Sequence, residues 1–294
     1  MPDTAARMTA FSKWVNRWWP STRLGSDPLA TLRVDERYVP VSIANWKLTP
    51  SMRSRLLALR VAQSLTFELG RRLTVVIPFR DRDEHLRQLI PELRRQLEQQ
   101  HICHQILVVD QQVPGLFNRG RLLNIGMQYA SSFSDYFCLH DVDAVPVNAN
   151  YACPSQPLRL VNAVIRGNGR SLREPHYFSG AVSILKEHAW EANGFSNEYW
   201  GWGKEDDDFF FRLLLAQHLC FYDSEGVFLD LPNPQQPDLK QEDVHFRRVA
   251  ANRKRRSQLV RGLSEPDTDG LASLKYEVGD EIHCDGYRVL RVRW

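Results

Sequence analysis

The sequence predicts an α/β fold with a parallel sheet at its centre. Two patterns carry that prediction. Three short runs of apolar and β-branched residues occur at Leu73 to Ile77, Ile106 to Val109 and Tyr136 to Leu139. Between them lie two segments whose leucines and isoleucines recur at helical spacing. Strand, helix, strand, helix, strand is the rhythm of parallel strands joined by helical crossovers.

Residues 1–70 read as an N-terminal extension with scattered aromatics, Pro20, Pro28 and Pro40, and a helical stretch from Ser51 to Leu69. Within it, Met8 to Trp19 mixes tryptophan and phenylalanine with basic residues. That suits either a helix packed on the main domain or one lying on a bilayer surface. Leu73 to Ile77 is a buried strand, ended by Pro78. Asp83 to Gln100 is a helix that buries Leu86, Leu89, Ile90, Leu93 and Leu97. The second strand stops at Asp110, and Arg119 to Ala130 forms the next helix through Leu122, Leu123, Ile125 and Met127. The third strand runs into Asp141-Val142-Asp143. Tyr177 to Leu185 reads as a strand, and Trp200 to Asp208 as a loop leading into a helix from Asp208 to Gln217. Alternation from Ser273 to Trp294 suggests a closing hairpin, with its turn at Gly279-Asp280 or Asp285-Gly286. Residues 71–294 are expected to form one domain.

Composition narrows the function. The 294 residues are 43% hydrophobic and 25% charged, ordinary for a globular protein that needs no disulfide or structural metal to fold. A formal net charge of +3 is too small to argue for nucleic acid. Arg247 to Arg261 nevertheless holds seven basic residues and no acid. It reads as a solvated helix face, or as a contact with phosphate on a lipid-linked acceptor or a membrane. No run of 18 apolar residues and no signal-peptide core are present, so no spanning helix is expected. Five cysteines without paired CxxC spacing argue against a zinc site or a secreted disulfide framework. A reducing cytoplasm, with at most peripheral contact at the inner membrane face, is the expected compartment.

Parallel sheets bind ligands at the carboxyl ends of their strands. The polar groups expected to converge there are Arg80, Asp81, Arg82, Asp110 and the Asp141/Asp143 pair. Strand alternation puts both aspartates of Asp141-Val142-Asp143 on one side of the chain. Such hard oxygen ligands suit manganese or magnesium on a diphosphate, although two solvated turn aspartates look the same in sequence. Pro78-Phe79-Arg80-Asp81-Arg82 offers two arginines that can grip phosphate or make surface ion pairs. Glu205-Asp206-Asp207-Asp208 follows Trp200-Gly201-Trp202-Gly203. Acids at a helix N-terminus need no function, but the Trp-Gly pairs ask for more. Tryptophan gives a sugar a stacking face, glycine lets a loop hinge, and a carboxylate can bind hydroxyls or take a proton. Asp243-Val244-His245 is a candidate to complete the metal shell, though a lone histidine is more often a core or surface residue.

Together these residues resemble glycosyltransferase family 7, the β-1,4-galactosyltransferases. The resemblance runs from about Thr74 to Tyr276 and is most specific at WGWGKEDDD (200–208). PFRDR (78–82), FNRGRLLNIG (117–126), DVD (141–143), YFSGAVSIL (177–185) and ANGFSNEYWGWG (192–203) support it in order. It implies a GT-A fold, with a Rossmann-like nucleotide-binding half and mixed central sheet joined to an acceptor-binding half. It also implies an inverting, manganese-dependent enzyme that uses a UDP-sugar and a saccharide acceptor.

Carried over by motif, Asp206 is the catalytic base. Pro78, Phe79, Arg80, Arg82, Phe117, Arg119, Asp141, Val142, Asp143, Tyr177, Gly180 and Trp202 line the donor site. Tyr177, Trp202, Gly203, Glu205 and Asp207 face the acceptor. Asp143 and His245 ligate the metal, and Asp243 stands where relatives carry His or Met. Tyr177 favours galactose, with N-acetylgalactosamine or glucose as the alternative donor sugar. His140, Lys204 and GLASLKY (270–276) lean toward the branch that galactosylates xylose, while other relatives use N-acetylglucosamine. Cys138 appears shifted from a position that pairs in relatives, so no disulfide is expected.

Two rival readings remain. DVDAV (141–145) also fits the nucleophile motif of haloacid-dehalogenase-type phosphohydrolases, but that motif normally follows the first strand. A sugar-binding protein without catalysis would need neither metal ligand nor base. The main reading makes one spatial demand: the aspartates near 142, the acids near 206 and the imidazole of His245 must surround one cavity.

Overall fold

The computed structural model describes residues 37–41, 49, 65–232 and 243–294, apart from 168, 175 and 265, and without the side chains of 243–246. Its centre is the predicted β3 (Arg72–Phe79), α1 (Asp83–Gln99), β4 (Cys103–Gln111), α2 (Arg119–Tyr129) and β5 (Tyr136–His140). β3 pairs in parallel with β4 on one side and β5 on the other. Leu73, Val75, Val76 and Ile77 are wholly buried, as a strand covered on both faces requires. α2 lies so close to β3 that a methyl group on Gly126 would stand 2.3 Å from a Val76 methyl carbon. The Asn118 side chain caps α2 by accepting from the Arg121 amide at 3.0 Å.

The sheet widens beyond this core. β1 (Tyr38–Pro40), β8 (Leu158–Arg159), β11 (Ala181–Leu185), β12 (Phe221–Asp223), β14 (Glu277–Cys284) and β15 (Tyr287–Arg293) complete a nine-stranded sheet in the order β1-β12-β8-β11-β5-β3-β4-β15-β14. β15 joins β4 in parallel, whereas β11 joins β5 antiparallel, so the sheet is mixed. A second sheet has the order β10-β9-β13-β6, from β6 (Ala144–Asn148), β9 (Ala163–Arg166), β10 (Gly169–Leu172) and β13 (Val227–Asp230). β2 (Phe67–Glu68) and β7 (Cys153–Pro154) form a short pair. The remaining helices are α3 (Lys186–Glu191), α4 (Glu205–Leu215) and α5 (Asp243–Val260).

Several expected boundaries move. Pro78 does not end β3, which continues to Phe79 along β4. Pairing with β5 stops at Val76, so Pro78 sits where the strand has a neighbour on one side only. The strand expected from Tyr177 begins only at Ala181, because Gly180 (φ 88°) turns the chain just before it. The helix expected from Asp208 starts three residues earlier and takes all four acids into its first turn. The hairpin turns at Asp285-Gly286, while the Gly279 region is a register shift within the pair.

The division at residue 70 is not a structural one, since β1 pairs with β12 and β2 with β7. Phe67–Glu68 is strand where a helix was expected, and residues 1–36, including Met8 to Trp19, and 51–64 lie outside the described residues. All five cysteines are free. Among the described residues no helix is long and apolar enough to cross a membrane.

Candidate active site

The end of β5 and the first turn of α4 meet around Arg119, while Asp110, at the end of β4, turns instead toward Gln112 and Arg291. The Arg119 guanidinium donates from Nε to Asp141 Oδ1 at 2.6 Å and lies 3.8 Å from Glu205 Oε1. Burial opposes its charge, but the carboxylates of Asp141, Glu205 and Asp206 overcome that and raise its pKa. The DVD segment and the acidic cluster, over 60 residues apart in sequence, therefore share one cation.

β5 delivers Asp141 and Asp143. The Asp141 amide donates to Gly180 O at 2.7 Å, and Leu231 N donates to Asp143 O at 2.8 Å, so neighbouring strands fix the backbone. β13 aligns Asp230 beside Ala144, bringing another carboxylate close. The Asp143 carboxyl is pushed up to about 6 by burial and then by Asp141 and Asp230. No Lys or Arg among the described residues pairs with it. A partly buried carboxylate without a paired cation offers one hard oxygen ligand to a divalent metal. No three His, Cys, Asp or Glu side chains gather to hold a metal among the described residues. Further protein ligands would have to come from elsewhere. Asp243 and His245 begin α5, but their side chains lie outside the described residues. Val142, between the aspartates, packs partly buried against the core.

The PFRDR segment splits by role. Pro78 and Phe79 belong to β3, and Phe79 is buried beside Asp110. Arg80 donates to Gly115 O at 2.7 Å and lies over the Phe117 ring at 5.6 Å. Arg82 keeps a buried Nη1 without a hydrogen-bond partner. An anionic ligand would satisfy that nitrogen.

The four acids of α4 have four different surroundings. Glu205 faces Arg119, and burial followed by the charge of Asp206 pushes it up to about 8. Asp207 is held by Lys204 at 2.8 Å and Arg256 at 3.7 Å. Asp208 is wholly structural: it accepts from Tyr199 Oη at 2.9 Å and pairs with buried Arg212 at 2.6 Å. Asp206 accepts only from the Asp207 amide at 2.8 Å and has no side-chain partner among the described residues. Burial, then the charge of Asp207, raises its pKa.

Left-handed backbone at Gly201 (φ 73°), Gly203 (φ 93°) and Lys204 (φ 84°) folds the tryptophan loop over this end. Gly201 N donates to Phe117 O at 2.8 Å, tying the loop to the segment just before α2. Trp202 remains 53% exposed and available for stacking. Tyr177 is buried close enough to Asp141 and Asp206 that, after burial itself, Asp141 raises its phenol pKa most. Gly180 lies beneath it, where an added Cβ would stand 3.0 Å from Val161.

Some contributors had no sequence signal. Arg159 on β8 is buried, donates to Glu174 O at 3.0 Å and to Tyr177 O, and stacks 4.6 Å from the Tyr222 ring. Arg173 lies over the other part of the same wall, 5.0 Å from the Tyr177 ring, and reaches Asp230 at 3.3 Å. Asn252 of α5 donates to Trp200 O at 3.2 Å and Trp202 O at 3.4 Å. The hydrogen bonds among them span 15 to 57 residues. Of the groups expected to converge, the DVD segment and the acidic cluster share Arg119. The His245 imidazole lies outside the described residues.

The chain resembles known proteins along most of this region. A model of the N-terminal region of glycosyl transferase group 7 matches residues 67–154, and one described as an N-terminal domain of galactosyltransferase matches 159–223. Together they span just over half of the chain. Beta-1,4-galactosyltransferase 7 of Drosophila melanogaster is 38% identical over 146 residues, 48% of this chain and 44% of that one. Human beta-1,4-galactosyltransferase 1 is 34% identical over 214 residues, 71% of this chain and 51% of that one. The chain thus spans about half the length of these relatives. The crystallised catalytic domain of the Drosophila protein, complexed with xylobiose, superposes with a TM-score of 0.63 at 28% identity, covering 76% of this chain and 93% of that one. A mutant of it, complexed with manganese, UDP-Gal and xylobiose, superposes equally well.

Proposed function

Given that this chain belongs to the group 7 glycosyltransferases and has the GT-A fold, we propose that it transfers galactose from UDP-galactose to a sugar hydroxyl, forming a β-1,4 linkage. The observation that carries this reading is the isolation of Asp206. Of four consecutive acids it alone lacks a side-chain partner, and it lies beside the Tyr177 and Asp141 wall. A carboxylate left unpaired in a carbohydrate-binding cleft is suited to act as general base.

In this mechanism Arg80 and Arg82 bind the nucleotide diphosphate. Asp143 would hold a manganese ion, with magnesium as the alternative and with His245 and Asp243 as the further ligands. The ion, when bound, neutralises charge on the departing diphosphate. Asp206 accepts the proton as the acceptor oxygen attacks the anomeric carbon from the face opposite UDP. The new carbon–oxygen bond forms as the bond to the β-phosphate oxygen breaks, so UDP leaves and the configuration inverts. Glu205 and Asp207 bind acceptor hydroxyls, Trp202 stacks on the sugar, and the loop with its Gly203 hinge excludes water. The manganese and UDP-Gal named with the Drosophila structure support the ion and the donor.

The acceptor sugar is of the xylose or N-acetylglucosamine type. It is carried on a lipid at the cytoplasmic face of a membrane, with Met8 to Trp19 as the peripheral contact. An acceptor screen with UDP-galactose and manganese, read by product mass, tests this. A mass gain of one hexose on a xyloside or N-acetylglucosaminide, abolished by chelation and restored by manganese, is expected. Phosphate release from simple phosphoesters, or sugar binding without turnover of any UDP-sugar, would replace this reading with one of its rivals.

A further inference from the structure

α5 carries an unusual surface. Arg247, Arg248, Arg253, Lys254 and Arg255 on the helix, and Arg261 just beyond it, are all exposed. No carboxylate among the described residues pairs with any of them. The opposite face of the same helix touches the site, through Asn252 on the Trp200 and Trp202 carbonyls and Arg256 on Asp207. Arg248 and Arg255, two turns apart, flank that inner face on one side, and Arg253 flanks it on the other.

A neutral sugar has no use for such a row. Its hydroxyls are served by the carboxylates and Trp202, and the proposed mechanism already assigns the donor diphosphate to Arg80 and Arg82. Unpaired like charges on one helix repel one another, and an anion arriving there relieves that repulsion. Arginine forks match phosphate oxygens in particular.

We propose that α5 reads a phosphate or diphosphate ester on the acceptor, next to the sugar that receives galactose. This rests on the galactosyl-transfer reading and adds the chemical class of the acceptor. Phosphate on a lipid carrier and phosphate on a soluble sugar satisfy the same arginines, and alkyl-chain length distinguishes them.

The test compares the full-length protein with its Arg248→Gln/Arg253→Gln/Arg255→Gln variant. Acceptors are neutral xylosides and N-acetylglucosaminides, and the same sugars bearing a reducing-end diphosphate with short or long alkyl chains. The native protein is expected to favour the diphosphate acceptors at least about tenfold in kcat/KM, with an advantage that shrinks as salt rises. The variant is expected to lose that preference while keeping its rate on neutral acceptors and its KM for UDP-galactose. Equal use of neutral and phosphorylated acceptors by the native protein overturns the inference and leaves galactosyl transfer intact. Absence of turnover with every acceptor overturns both. If vesicles containing phosphatidylglycerol stimulate transfer to neutral acceptors, and the variant alone loses that stimulation, α5 is a membrane contact and the inference fails.

Discussion

The parallel centre of the sheet and the first turn of α4 use buried residues in opposite ways. Around β3 the interior is close-packed and uncharged, and at Gly126 it leaves no room for a methyl group against Val76. At the start of α4, Glu205, Asp206, Asp208 and Arg212 crowd into about two turns of helix, with Arg119 of α2 set against them. Burying charge costs several kcal/mol unless it is paired, so each partner there marks a job. Asp208, fully paired, anchors the helix; Asp206, unpaired among the described side chains, is the one the proposed mechanism uses as its base. Adjacent residues of identical chemistry are told apart only by what they touch.

Substitutions can break or sharpen this contrast. The largest effect is expected from Asp206→Asn, which should lower transfer by about 10²–10⁴-fold while UDP binding, measured by calorimetry, is unchanged. Near-normal turnover would remove Asp206 from its role. Asp208→Ala should act on folding instead: buried Arg212 loses its close carboxylate and keeps only the Asp269 and Pro266 carbonyls and a distant Asp269 carboxylate, so a cost of about 2–4 kcal/mol is expected, read as a lowered denaturation midpoint. A fully stable Asp208→Ala with lost activity would erase the distinction. Gly126→Ala tests the sheet side, where the clash with Val76 should cost about 1–3 kcal/mol and leave the KM values of the surviving enzyme unaltered.

A smaller effect concerns donor choice. Tyr177→Leu is expected to raise use of UDP-N-acetylgalactosamine relative to UDP-galactose about tenfold in competition assays. The smallest is a pH effect. Burial, followed by the neighbouring His218, lowers His188 to about 3 from 6.5. The unfolded chain therefore binds its proton first, and stability should fall as pH drops from about 6.5 toward 3. His188→Gln should flatten a plot of melting temperature against pH across that window.

Much of this was legible in the sequence because it rests on local pattern. β3, α1, β4, α2 and β5 came from apolar periodicity, and the DVD and WGWG-EDDD segments from residue types that need each other nearby. Boundaries failed where a local cue was overruled. Pro78 reads as a stop, yet β3 continues because β5 has already ended its pairing. The acids read as loop residues, yet left-handed Lys204 starts the helix immediately before them. The tail read as a hairpin, but its parallel pairing with β4, over 170 residues away, has no local signature. Arg159 was invisible for the same reason, since a single arginine between leucines gives no hint that it stacks between Tyr177 and Tyr222.

Arg119 has a consequence for how the two substrates sense one another. Its guanidinium is divided between Asp141 and Glu205, which the proposed mechanism assigns to the donor and to the acceptor. Whatever draws Asp141 toward an incoming nucleotide sugar changes the share of positive charge left for Glu205. The two occupancies are thereby linked, and linkage is reciprocal: the factor by which one ligand alters the affinity of the second equals the factor in the other direction.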